Sequence, residues 1–299
     1  MKTSLIIPAY NEEKGLPLVI EDYLDKVDEI IVVDDGSTDR TFEVAKKYAK
    51  KYDVKIYKHE TNKGKVAALR TGVEHATGEI IIFTDADYTY PAKYVPDFVK
   101  EIERGADLVL GSRLKNIKNM PFLNRIGNRI FSLLATYIGC INITDSQTGY
   151  RAFKRDMFDK LNVNAKGLEF ETKMTVRAAK HGYKIVEIPI EYRERVGKSK
   201  LRPIRDGIKM FFALCSVAYS ETSLLAKMIM IPSLFFILIG LITGSISIYE
   251  KIVFGVLSHE YYPILTTFLI LIAIQLISIG LIIDYLTKKL DRIEERLSK

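Results

Sequence analysis

Short runs rich in Ile and Val at residues 4–7, 29–33, 54–57, 79–84 and 107–110 each give way to a segment in which apolar positions return every three or four residues. The short runs suit buried strands, and the longer spacing suits amphipathic helices. Alternation of this kind predicts an α/β domain built on a mostly parallel sheet with crossover helices. Ligands are expected at the edge where the parallel strands end. After the second run, Asp35-Gly36-Ser37-Thr38-Asp39 supplies turn residues and an N-cap for a helix reaching residue 51.

Past Gly111 the pattern changes. A helix starting near Phe122 puts Ile126, Ile130, Leu133, Leu134 and Tyr137 on one stripe beside Arg125 and Arg129. Ile204, Ile208, Phe211, Phe212 and Cys215 repeat that spacing beside Arg205 and Lys209. Both stripes fit helices lying on a membrane surface, with packing against the sheet as the alternative. Residues 228–249 and 261–283 then carry no charge, and each run is long enough to cross about 30 Å of hydrocarbon as a helix. Between the runs only Lys251 is strongly basic, whereas Arg205, Lys209 and Lys227 precede the first and Lys288, Lys289, Arg292, Arg296 and Lys299 follow the second. That bias predicts a cell-membrane protein with both ends in the cytoplasm. The expected organisation is a cytosolic α/β domain at 1–200, an interfacial amphipathic helix at 201–223, two transmembrane helices within 224–287 and a basic cytoplasmic tail at 288–299. The apolar run around Leu5 is too short for the core of a signal peptide.

With 299 residues, 48% of them hydrophobic and 27% charged, the chain can bury one large core plus an appendage, and it is neither a disordered tail nor a disulfide framework. Its net charge of +7 is concentrated. Residues 113–129 hold five basic and no acidic side chains, and 193–209 hold seven against two. The rest of the chain is mildly acidic, so an anionic partner is expected at a defined place: phosphate, lipid head groups or nucleic acid. Cys140 and Cys215 lack zinc spacing and read as reduced packing residues. His59, His75, His181 and His259 are scattered and read as surface or loop positions.

Asp85-Ala86-Asp87 closes the fourth run. Carboxylates two apart on a strand share a face and together can hold a hard divalent cation, Mg²⁺ or Mn²⁺, through oxygen. Without a cation they would repel. Asp34-Asp35 ends the second run, where a fixed carboxylate accepts from a base N–H or a ribose hydroxyl, a capping role being the alternative for Asp34. Neither Gly-x-Gly-x-x-Gly after an early strand nor Gly-x-x-x-x-Gly-Lys-Ser/Thr occurs. That argues against dinucleotide and P-loop sites and leaves a diphosphate to metal and cationic side chains. Glu169 and Glu171 read as charges at a helix N-terminus, with a sugar contact as the alternative.

In this order, Pro8-Ala9-Tyr10-Asn11-Glu12, Val33-Asp34-Asp35-Gly36-Ser37, Asp85-Ala86-Asp87 and Gly111-Ser112-Arg113 resemble the GT-A fold glycosyltransferases of family 2. Arg195-Val196-Gly197-Lys198-Ser199-Lys200 and the apolar pair of runs resemble, more narrowly, the dolichyl- and polyprenyl-phosphate sugar synthases. The resemblance spans residues 3–210. It implies a Rossmann-like GT-A catalytic domain that moves a hexose, with inversion, from a UDP- or GDP-sugar to dolichyl or polyprenyl phosphate, with Mg²⁺ or Mn²⁺ as cofactor. It also implies that Pro8, Tyr10, Glu12, Val33 and Asp35 line the nucleoside pocket, and that Asp85, Ala86 and Asp87 sit at the metal and sugar diphosphate. Arg113, Arg195 and Lys200 would neutralise phosphates, with Asp87, Arg113 and Lys200 as the catalytic set and Arg125 and Arg129 as candidates for the acceptor phosphate.

Two departures and one preference accompany the resemblance. Tyr88-Thr89 stands where many relatives carry Leu-Gln, so Thr89 or water is expected in place of a Gln ligand. The 195–200 loop is one residue shorter than in mannosyl members. Asn62-Lys63-Gly64-Lys65 and Asp145-Ser146-Gln147-Thr148-Gly149-Tyr150-Arg151 look more like the glucosyl branch, which uses UDP-glucose.

Two other classes fit less well. Processive polysaccharide synthases of the same fold carry Gln-x-x-Arg-Trp, and this chain has no Trp. A non-catalytic, membrane-anchored nucleotide- or lipid-binding module would not need both aspartates of the pair. Nucleic acid is not expected as a partner, because the basic windows lack interleaved stacking aromatics. Membrane lipids are expected, and a homo-oligomer is left open.

Overall fold

The computed structural model describes residues 1–113, 120–139, 141–161, 163, 167, 169–197, 207–209, 211–212, 215–216, 219 and 222–297. The chain forms two units, Met1–Cys215 and Ser216–Lys299.

In the first unit, β1 (Thr3–Ala9), β2 (Glu29–Asp34), β3 (Val54–Lys58), β4 (Ile80–Phe83), β5 (Leu108–Ser112), β6 (Arg151–Lys154) and β7 (Ile185–Pro189) form one sheet in the order β3-β2-β1-β4-β6-β5-β7. β1 pairs in parallel with β2 and β4, β2 with β3, and β5 with β7. β6 lies antiparallel between β4 and β5. The first five strands coincide with the five apolar runs. In β1, β2, β4 and β5 the continuity follows from burial on both faces, whereas the edge strand β3 is only partly buried. Leu5 and Ile7 join a core with Leu16, Ile20 and Phe98, while Ile6 meets Gly72, where a Cβ would come within 2.3 Å of Ile6 Cγ2.

The helices of this unit are α1 (Gly15–Tyr23), α2 (Thr41–Lys51), α3 (Lys65–His75), α4 (Val95–Glu103), α5 (Phe122–Gly139), α6 (Arg155–Leu161) and α7 (Phe170–Lys180). At the start of α2, Asp39 Oδ1 accepts from Thr41 N at 2.9 Å, so the expected cap is present one position early. Helix α5 has two faces. Phe131, Ser132, Ala135 and Ile138 are buried, whereas Phe122, Ile126, Ile130, Leu133 and Tyr137 are exposed. α5 contacts α7, but the large apolar stripe does not pack on the sheet. Arg129 is exposed, and Arg125 is half-buried with Nη2 3.5 Å from Met120 O. Of the second stripe, Ile208, Phe211 and Phe212 are exposed, and Ile204 and Arg205 lie outside the described residues. Cys215 is exposed, which corrects its reading as a packing residue. Cys140 lies outside the described residues.

The second unit is a pair of helices, α8 (Leu224–Phe254) and α9 (Tyr262–Leu297). Small residues let them approach: a Cβ on Gly240 would lie 3.2 Å from Ile270 Cγ1, and one on Gly280 would meet Met230 Cγ at 2.3 Å. Thr243 Oγ1 and Thr266 Oγ1 share a hydrogen bond of 2.7 Å across the pair. Leu224–Phe254 and Tyr262–Thr287, with mean hydropathies of 2.3 and 2.5, are long and apolar enough to cross a membrane. α9 runs on to Leu297, so most of the expected tail continues the helix.

At the sheet edge away from the parallel strands' carboxyl ends, Glu29 accepts from Ser4 Oγ, Lys55 Nζ and Thr77 N. Burial opposes its charge, but these donors prevail and lower its pKa from 4.5 to about 2. A folded pKa below the unfolded one gives stability that is complete above 4.5 and is lost as pH falls from there through about 2. In thermal melts across that window the wild type should lose stability steeply. Glu29→Gln, already less stable at pH 7, should lose much less, and parallel acid limbs would refute the linkage.

Candidate active site

The carboxyl ends of β1, β2, β4 and β5 meet at one edge, and the reversed β6 begins there, with Arg151 paired beside Phe83 and Leu110. Asp85 and Asp87 lie in the turn after β4, which ends at Phe83, rather than on the strand as expected. Turn geometry therefore sets their directions, with Tyr88 at φ 67°. α1 begins against this turn, where a Cβ on Gly15 would come within 2.4 Å of Ala86 O. Ala86, between the two aspartates, is buried in the core.

Each carboxylate of the turn has a cation. Lys65 Nζ, from the first residue of α3, lies 2.7 Å from Asp85 Oδ1 and 2.8 Å from Glu171 Oε1. Arg195 Nη1 lies 2.7 Å from Asp87 Oδ2, and its Nη2 binds Glu12 Oε1. Thr89 Oγ1 donates to Asp87 Oδ1 at 2.6 Å. Val196 N donates to Asp87 O and Arg193 N to Thr89 O, both at 3.0 Å, which lays residues 193–196 along the turn. Burial, then the charge of Asp85, raises the pKa of Asp87 above the ordinary value in spite of Thr89 and Arg195. For Asp85, burial works the same way but the charge and hydrogen bond of Lys65 overcome it, and the pKa is lowered. Burial alone would lower the pKa of Lys65; Asp85 and Glu171 raise it instead. Gly149 makes room for this pair, since a Cβ there would lie 2.8 Å from Asp85 Oδ2 and 3.1 Å from Lys65 Nζ.

Arg113 also reaches this edge, but its charge is already matched. Its Nε and Nη2 donate to the two Asp145 oxygens at 2.7 and 2.9 Å, and Nη1 to Tyr90 Oη at 3.4 Å. Tyr90 Oη in turn accepts from Gly149 N at 2.9 Å. Through these bonds Arg113 braces β5 against the chain leading into β6. Lys200 lies outside the described residues.

Of the expected nucleoside residues, Pro8 and Tyr10 are half-buried and Glu12 is paired with Arg195. Val33 is 0% exposed, so its side chain belongs to the core and cannot line an open pocket. Asp35 is buried and accepts from Lys63 N and Gly64 N at 2.9 and 2.8 Å. His59 Nδ1 lies 2.7 Å from Asp35 Oδ1 and its Nε2 3.0 Å from Thr71 Oγ1. His59 thus lies in a loop, one of the two readings, but is buried there rather than at the surface, and Asp35 serves first to hold the loop before α3. Asp34 Oδ1 accepts from Ser37 N at 3.3 Å, while Oδ2 is buried without a partner among the described residues. Arg151, 0% exposed, donates to Thr148 O and Glu171 O at 2.6 and 3.1 Å.

Residues 4–161 match the family described as glycosyl transferase family 2. The chain belongs to that family. It is 34% identical over 224 residues to a dolichyl-phosphate hexose transferase of Haloferax volcanii, covering 73% of this chain and 94% of the relative. It is 31% identical over 220 residues to a dolichol-phosphate mannosyltransferase of Pyrococcus furiosus, covering 68% and 60%. Among solved structures, glucosyl-3-phosphoglycerate synthase of Mycobacterium tuberculosis, in complex with Mn²⁺, UDP and phosphoglyceric acid, aligns with a TM-score of 0.58 and 22% identity over 74% of this chain and 78% of that one. The family 2 chain is a glycosyltransferase with a GT-A-like α/β domain followed by two apolar helices.

In this family 2 enzyme, Lys65→Met should leave Asp85 without its counter-charge and reduce kcat/KM by about 10²-fold, the usual scale for losing one charge-stabilising group. Gly149→Ala should act in the same direction by wedging the pair apart, with circular dichroism unchanged in both variants. Wild-type rates in both would show that the Asp85–Lys65 pair is not part of the working site.

Proposed function

We propose that this glycosyltransferase moves a hexosyl group, with inversion at C1, from a nucleoside diphosphate sugar to dolichyl or another polyprenyl phosphate at the cytoplasmic face of a membrane. The observation that carries the reading is the Asp85/Asp87 turn ringed by cations at the ligand edge of the sheet. The named activities of the two relatives support a lipid-phosphate acceptor. So do the outward apolar stripe of α5 and the two apolar helices. A UDP-hexose donor is favoured over GDP-mannose by the resemblance of residues 62–65 and 145–151 to the glucosyl branch.

The acidic turn fits a hard divalent cation, Mg²⁺ or Mn²⁺. It offers carboxylate oxygens alone, and Asp85 Oδ2 accepts no hydrogen bond among the described residues, its Oδ1 being the atom that meets Lys65. Among those residues no cluster of three His, Cys, Asp or Glu forms, so diphosphate oxygens and water are left to complete a shell. Bound there, the ion supplies charge neutralisation for the departing diphosphate. Arg195 and Lys200 bracket one segment and are assigned to the diphosphate oxygens, with Arg125 and Arg129 assigned to the acceptor phosphate. Arg113 acts by holding Asp145 and Tyr90.

The acceptor needs no protein base. A phosphate monoester has a second pKa near 6 and is mostly a dianion at pH 7. One of its oxygens forms the new bond to C1 as the bond from C1 to the diphosphate oxygen breaks, and the electron pair leaves with the diphosphate. No proton has to be removed, so the site's task is to bring anions together.

Three outcomes test the reading. With radiolabelled UDP- and GDP-sugars and dolichyl phosphate, label should enter the lipid extract, most strongly from a UDP-hexose. Asp87→Asn should abolish transfer and weaken the titration of Mn²⁺ with UDP while the fold persists; full activity of that variant would overturn the metal assignment. In pH–rate profiles of Asp and Glu variants outside the turn and nucleoside site, none should lose an acidic limb with donor binding intact. One that does would identify a base and refute this chemistry.

A further inference from the structure

Inside the second apolar span of the two-helix unit lies a carboxamide that the unit's own packing does not use among the described residues. Gln275 lies at the middle of the Tyr262–Thr287 span and is exposed. Hydroxyls in the same unit are satisfied locally: Thr243, Ser247, Thr267, Ser278 and Thr287 each donate to a carbonyl three or four residues back. Gln275 makes no hydrogen bond among the described residues. About twelve residues of helix, or about 18 Å, separate it from either end of the span, so its short amide cannot reach a head-group region as a Lys or Arg would. Within hydrocarbon, an amide with two N–H groups and a carbonyl unmet is unfavourable, and a partner helix is the usual remedy.

The surface around Gln275 has the form of a helix seam. Ile264, Phe268, Leu271, Gln275, Ser278 and Ile282 are all exposed and follow one another at alternating spacings of four and three residues. This is the spacing that keeps one stripe facing a neighbouring helix. The stripe lies opposite the side of α9 used inside the unit, where Leu269 and Ala273 are buried, Thr266 bonds to Thr243, and Gly280 abuts Met230. The small Ser278 beside Gln275 allows close approach at the same depth.

We infer that this seam is where a second copy of the chain packs, in parallel, with the Gln275 amide of each copy donating to the Gln275 carbonyl of the other. A carboxamide is its own complement, offering both a donor and an acceptor. Copies inserted the same way round carry Gln275 at equal depth, so the pairing needs no further matching. Lipid chains offer the amide nothing, and a different membrane protein would need its own polar group at that level. The inference rests on the membrane reading above and goes beyond it.

Full-length protein labelled at the C-terminus with donor or acceptor fluorophores, reconstituted in phosphatidylcholine vesicles and diluted with lipid, tests it. Flotation of the vesicles on a density gradient reports membrane attachment separately, so a failure of the membrane reading is distinguishable from a failure of the pairing. In floated vesicles the wild type should show energy transfer. Gln275→Leu, which keeps the span apolar, should need roughly tenfold more protein per lipid for the same transfer, and Gln275→Asn should retain most of it. Transfer in Gln275→Leu equal to the wild type, or none in the floated wild type, would overturn the inference. So would a photoreactive residue at position 275 that crosslinks in native membranes only to a different protein.

Discussion

Two like charges about 4 Å apart repel by about 4 kcal/mol where the effective dielectric constant is about 20, so a turn that brings together a buried and a half-buried carboxylate dictates what surrounds it. Here the answer comes from far along the chain. Lys65 opens α3 and meets both Asp85 and Glu171, and Arg195 comes from beyond β7 and meets both Asp87 and Glu12. Each cation touches two carboxylates, so every charge of the cluster is shared between elements. Bare glycine at 15 and 149 follows from the same constraint, because the turn is approached on one side by α1 and on another by the chain leading into β6.

How much of this could be read in advance depended on whether the signal was local. β1, β2, β4 and β5 are continuous apolar runs because both faces of the sheet are covered there, and such runs are visible one at a time. β6 is four residues, with a buried arginine at one end and a lysine at the other, and the edge strand β7 is only partly buried, so neither produces a comparable run. The acidic turn was visible as a motif, but its neutralising partners were not, since Lys65 and Glu171 stand far apart in the chain. Asn62–Lys65 and 145–151 stood out as short motifs, and yet nothing local says that Lys65 meets Asp85 or that Asp145 takes the charge of Arg113. The motif places Val33 at a pocket through its neighbours, whereas β2 is buried along its whole length and Val33 with it. His59 has no metal spacing, and only the folded chain shows that it stands on Asp35.

Helix α5 shows why an apolar stripe alone does not say what it packs on. Its larger residues, Ile126, Ile130 and Leu133, face outward, while the face with Ser132 and Ala135 is buried. Phe131 and Ile138 fill the buried face beside Ser132 and Ala135, so the helix has apolar residues to spare, and those on the outward face call for an apolar surrounding of their own. The outward stripe, the basic side chains beside it and the two apolar helices that follow are consistent with a protein working at a lipid boundary.

Because β6 enters the sheet from the ligand edge, the chain departs from that edge at Ser112 and returns to it at Arg151, beside the acidic turn. The length of this excursion is unconstrained by the sheet: register is set where Arg151 meets Phe83 and Leu110, whatever lies between. The connections after β1, β2 and β3 have no such latitude, since each must run back along the sheet as a helix before the next parallel strand can start. One half of the molecule is therefore held to fixed dimensions, while the other can gain or lose segments without disturbing a single strand pairing. Divergence within such an architecture falls most easily on what approaches the site from the α5 side, and least on the floor made by β1, β2 and β4.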